Sequence, residues 1–168
     1  MTVTARPAPA LRHFGVSIGH LTEGSADSWI RALRLPASAQ ACTHRADLPF
    51  PHVAVSVALP AGVASPVVMA GSAFLEAAVA AGAAHSAGRS GRAVHFRGWS
   101  LFRGAVTVGD LLHHTDVVRV TDGSRNARPD VVLDAGRGLT PHWRDGELVV
   151  LAESSPDGTL VPLPGFRV

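Results

Sequence analysis

Hydrophobic and polar positions alternate with a period of two along several short stretches of this chain, and they give way once to a long segment with almost no polar face. Val53, Val55 and Val57 fall on one side of an extended stretch from His52 to Leu59, the signature of a strand with an apolar face. His13 to Leu21 has similar strand character. In Trp29 to Leu35 the residues Trp29, Arg31 and Arg34 stand against Ile30, Ala32 and Leu33, a pattern that fits either a strand or a helical turn. Pro36 to Pro51 has no clean period, and Pro49-Phe50-Pro51 marks a turn into the next strand. Strand signals resume at Arg92 to Phe102, Asp110 to Thr121, Asp130 to Asp134 and Glu147 to Ser154. Turn residues at Val108-Gly109-Asp110, Asp122-Gly123-Ser124 and Asp145-Gly146 separate them.

Pro66 to Ala84 is too long for a strand, rich in the best helix former and opened by a proline, which predicts one long helix. Its many Ala and Gly residues leave little bulk on any face, as a helix needs if a sheet is to wrap closely around it. His85 to Gly91 reads as a loop. Strands, one central helix and then more strands make an α+β pattern with a single helix against one curved antiparallel sheet. Residues 1–10 read as a loose tail and residues 11–168 as one domain.

Glu76 is the one ionisable group in the helical segment. If it is buried, its carboxyl must either find a partner or stay protonated, and both outcomes make it a candidate acid or base. The alternative is a position on the one wet edge of the helix.

Composition narrows the function. A chain of 168 residues has room for one proper core, and 46% hydrophobic with 17% charged residues describes a folded domain. The basic residues are all Arg, spread from Arg6 to Arg167, with a net charge of only +2. The clustered basic footprint of a nucleic-acid binder is missing. The lone Cys42 excludes an intramolecular disulfide and a cysteine-based metal site, and fits a reducing compartment. No apolar run reaches the length of a membrane span and Met1 to Ala10 has no signal-type apolar core, so a cytoplasmic location without membrane contact is expected. No spacing of His, Asp and Glu reads as a metal site, no cofactor motif is present, and no stretch has the G-x-S-x-G form of a nucleophile elbow.

Among nine histidines, His44 and His52 lie upstream of the helix and are candidate bases if the 36–51 segment folds over a substrate tunnel. His113 and His114 are expected on opposite faces of one strand, and His95, between Val94 and Phe96, on a wetter face. Arg97 and Arg103 flank Trp99 and Phe102 and read as solvated strand-edge residues, with an acidic carrier protein or the phosphate of a phosphopantetheine arm as the functional alternative.

The segment Val67-Val68-Met69-Ala70-Gly71-Ser72-Ala73-Phe74-Leu75-Glu76-Ala77-Ala78 resembles an element of the hotdog-fold 3-hydroxyacyl-ACP dehydratases of fatty acid and polyketide synthesis. There a loop of the form H-F-P-G-x-P-x-M-P-G leads into a central helix with a glutamate five residues after the last glycine. Gly91 to Asp110 and Arg144 to Glu153 resemble two further elements of that family in the right order, so the likeness spans roughly Val53 to Ser154. The resemblance implies a single hotdog fold, a catalytic role for Glu76, and substrate contacts from Met69, Gly71, Phe96 and Trp99. It also implies an acyl carrier protein-bound substrate and a hotdog dimer. The family's catalytic histidine should fall at Gly62 or Ala61, neither a histidine, and Ala70 replaces a proline. A chain with the carboxylate and no histidine fits one half of a heterodimer, completed by a histidine-bearing paralogue. Alternatives are a hotdog acyl thioesterase, which also uses a helix carboxylate, and a non-catalytic partner subunit.

Overall fold

The computed structural model of the chain describes residues 10–65 and 72–164. Strand β1 (Leu11–His20) is followed by helix α1 (Glu23–Ala32), then β2 (Gln40–Ala46) and β3 (His52–Pro60). A short 3-10 turn (Ser72–Phe74) enters helix α2 (Leu75–Ser86), and β4 (Arg92–His95) and β5 (Ala105–Thr107) precede helix α3 (Val108–His114). The remainder is β6 (Arg119–Asp122), β7 (Arg125–Asn126), β8 (Val132–Asp134), β9 (His142–Arg144), β10 (Glu147–Ser154) and β11 (Leu160–Pro162). The architecture is α+β, with an open and mostly antiparallel sheet.

The eleven described strands form one sheet in the order β1-β3-β2-β4-β9-β10-β11-β8-β5, with β6 attached at β10 and β7 at β6. β3 pairs antiparallel with both β1 and β2, so β1 and β2 run the same way with β3 inserted between them. The pairs β10 with β6 and β11 with β8 are parallel.

Three helices stand where one was expected. The stretch Trp29 to Leu35 belongs mostly to α1, because Thr22 accepts the Ser25 N–H at 3.2 Å as an N-cap and Ala26 and Ile30, four apart, bury one stripe. The physical demand for α1 comes from β3. Its Val53, Val55, Val57 and Leu59 form one wholly buried apolar row, packed with Ala26 and Ile30 of α1. The other face of β3 carries His52, Ala54, Ser56 and Ala58, equally buried, and receives α2, whose Ala77 and Ala81 pack on Ala54. A strand buried on both faces needs a cover on each.

Other expectations are corrected. The aperiodic 36–51 segment contains β2. Asp110 to Thr121 is not one strand: Thr107 caps α3 by accepting the Asp110 N–H at 3.1 Å, and the helix runs on to His114 before β6. His113 and His114 therefore sit in one helical turn, their rings edge to face at 4.6 Å. The strand of Arg92 to Phe102 stops at His95, and His95 is buried rather than wet, its Nε2 3.0 Å from the Pro36 carbonyl. A second core, built on Phe96, Val108, Leu111, Leu133, Leu148 and Leu160, fills the C-terminal half.

Arg92 of β4 ties α1 to the sheet. It pairs with Asp27, reaches Glu23 at 3.6 Å and donates to Thr43 Oγ1 at 3.2 Å.

Candidate functional site

Helix α2 lies so close to the sheet that backbone meets backbone. A Cβ built on Gly15 of β1 would stand 1.5 Å from the Ala78 carbonyl oxygen, and one on Gly82 would meet the Gly15 nitrogen at 3.0 Å. The small residues seen in the sequence serve this contact. The buried stripe of α2 runs Ala77, Ala78, Ala81, Gly82 and His85, which places His85, read from sequence as loop, against the sheet.

His85 is 2% exposed, and a chain of polar groups surrounds it. Its Nδ1 is 2.9 Å from the Ser56 hydroxyl, which is also 2.7 Å from Nε2 of His44. On the other side, His85 Nε2 is 3.4 Å from Gln40 Oε1 and 3.7 Å from Cys42 Sγ. The His13 ring meets it edge-on at 4.8 Å. Because Gln40, Cys42 and His44 alternate along β2 opposite Ala58, Ser56 and Ala54 of β3, they all face α2.

Burial holds these imidazoles neutral. Desolvation pushes His44 down to about 4; His85 falls to about 3, through desolvation first and then through its neighbours His13 and His44. Burial likewise pushes the Cys42 thiol up to about 12, so the thiolate nucleophile is not available at neutral pH. The two histidines make stability pH-dependent with a defined sign. The unfolded chain takes up protons below about 6.5 that the folded chain refuses, so stability falls as pH drops from 6.5 towards 3. For His85 the loss at pH 4 is roughly 3 kcal/mol. Urea unfolding at pH 7 and pH 4 should show a steeper loss in the native chain than in a His85→Gln variant, and equal losses would refute the assignment.

Glu76 is exposed, not buried. It stands on the wet edge of α2, at the rim of a cleft of about 360 Å³ between the helix and β2. The floor is Ala54, Ala77, Ala81 and Ala84, and His44 lines the same cleft. Gly91 leaves room for that imidazole, since a Cβ there would come within 2.7 Å of His44 Cε1.

Of the residues proposed from sequence, Glu76 and His44 are thus brought together. His52 is not. It is 4% exposed, its Nδ1 donates to the Phe50 carbonyl at 2.7 Å, and its Nε2 is 2.8 Å from the Ser17 hydroxyl. With both nitrogens engaged, His52 anchors β3 to β1. Phe96 is 1% exposed in the C-terminal core, and Trp99 lies on the α1 side of the sheet. Met69 and Gly71 fall outside the described residues. Ser56, Cys42 and His85 were missed; for Ser56 the polar positions of 52–59 between its valines carried the signal, whereas the alanine-rich run before His85 marks no face.

Leu48, Phe50, Leu75 and Val79 are exposed by 65%, 42%, 47% and 63%. Leu48 lines the cleft with Glu76, Leu75 and Val79 flank Glu76 on the helix, and the Phe50 ring meets Phe74 edge-on at 5.7 Å. The cleft therefore opens on an apolar surface. No group of three His, Cys, Asp or Glu among the described residues is placed to hold a metal, and no helix among them is long and apolar enough to cross a membrane. No family model, curated protein or solved structure matches the chain.

Proposed function

We propose that this chain is the carboxylate-bearing subunit of a heterodimeric, hotdog-type dehydratase acting on carrier-bound 3-hydroxyacyl thioesters in polyketide or fatty acid assembly. The carrying observation is the cleft itself: an alanine-floored groove along α2 lined on its polar side by Glu76, His44, Arg45 and Asp47. The ordered sequence likeness from Val53 to Ser154 supports the reaction class, and α2 is taken as the central helix.

Glu76 assists departure of the 3-hydroxyl as water while a base removes the α-proton and the C2–C3 double bond forms. His44 is a poor base for that proton at neutral pH, because burial keeps its conjugate acid too strong and its Nε2 is engaged by Ser56. A base from a partner chain fills the gap, and the apolar surface around Glu76 is where that partner would sit.

Water loss from a 3-hydroxyacyl-ACP is the assay. The lone chain is expected to be inactive and the chain co-expressed with a histidine-bearing hotdog protein active. Full turnover by the lone chain would refute the heterodimer, and release of free acid would favour a thioesterase.

A further inference from the structure

On the α1 side of the sheet, away from Glu76, a second cavity of about 520 Å³ opens between α1, Val94 of β4 and the segments around Trp99 and Gly138. Its polar lining is Arg31, Arg103, Arg137, Thr140 and Asp27. The only carboxylate among these, Asp27, is already engaged by Arg92 and lies 4.0 Å from Arg31. Arg103, Arg137 and Thr140 make no side-chain hydrogen bond or ion pair among the described residues. Arg97, a few residues away, shows the contrast, since Asp116 holds it at 3.0 Å.

Three guanidiniums and a free hydroxyl form a lining that is nearly all donors, which suits a ligand that is all acceptors. Two forked guanidiniums match the oxygens of a phosphoryl group. Trp99 supplies the second half of the site. It is half-buried, packed against the C-terminal core and set 5.5 Å from the His95 ring, so it offers a fixed aromatic surface at little entropic cost.

We propose that this cavity binds an organic phosphate, with its phosphoryl group held by Arg103, Arg137 and Thr140 and the attached group lying against Trp99. The sheet separates it from the Glu76 cleft, so its ligand is not the substrate reacting there. The proposal stands whether or not the chain is a dehydratase.

Titration calorimetry of the full chain at low ionic strength tests it, with ADP and 4′-phosphopantetheine as the two phosphate sources and adenosine and pantetheine as uncharged counterparts. Binding of at least one phosphate is expected, weakened tenfold or more in the double variant Arg103→Gln/Arg137→Gln and weakened by added salt. Both substitutions are at exposed side chains, and circular dichroism checks that the variant folds. Failure of both phosphates to bind at millimolar concentration would overturn the proposal. So would equal binding of an uncharged counterpart, or unchanged binding by the double variant.

Discussion

Glu76→Gln is expected to lower the turnover of the proposed heterodimeric dehydratase by about 10²–10⁴-fold, the range that a positioned acid or base contributes. The substitution keeps the size and hydrogen-bonding shape of the side chain while removing the transferable proton. Because Glu76 is exposed, the fold and assembly should be kept, with a stability loss of no more than about 0.3–1 kcal/mol for the carboxylate in the first turn of α2. His44→Ala should cost far less turnover, since an imidazole held near 4 is a weak base at neutral pH. Steady-state rates for both variants in the complex, with circular dichroism and gel filtration alongside, make the check. A complex that keeps full activity with Gln at position 76 would leave the chain a structural subunit. A greater loss from His44→Ala than from Glu76→Gln would move the base into this chain.

Gly15→Ala is expected to destabilise the fold by more than about 4 kcal/mol, beyond the usual range for a single substitution. The added methyl would be 1.5 Å from the Ala78 oxygen, 2.4 Å from its carbonyl carbon and 3.1 Å from its Cα. All three are backbone atoms, so no side chain can rotate away. Relief requires lifting α2 from β1, which opens the layer containing His85 and Ser56 and exposes them unpaired. Gly24→Ala is the control, for nothing lies within 4 Å of its added Cβ, and alanine in the first turn of α1 gains at most about 0.5–1 kcal/mol over glycine. Thermal unfolding should therefore move in opposite directions for the two variants. A Gly15→Ala chain as stable as the native one would show that α2 does not lie where the structure places it.

Those two expectations rest on different kinds of information. Glu76 was legible from sequence because a single carboxylate in an alanine-rich helix stands out, and because its flanking residues resemble a known element. Its exposure was not legible. The side chains of α2 are so small that no face announces itself as the buried one, and only Gly15 and Gly82 in contact show which side meets the sheet. The strands His13 to Leu21, His52 to Leu59 and Glu147 to Ser154 were readable from local alternation. α1 was left open between a strand and a helical turn, and α3 was read as strand, because each is short and its cap, Thr22 or Thr107, weighs less in a sequence pattern than the apolar residues around it.

By itself, the sequence determined an α+β chain of alternating strands around an alanine-rich helix, with a carboxylate on that helix and no histidine where the resembling family has one. Alternation and helix propensity are local, so they survive without the fold. The tertiary structure alone decided that β3 is covered on both faces, that His52 is a structural anchor and His44 a cleft residue, and that a Ser56-bridged pair of histidines lies neutral under α2. Each of these depends on which residues from distant segments share a face and lose their water.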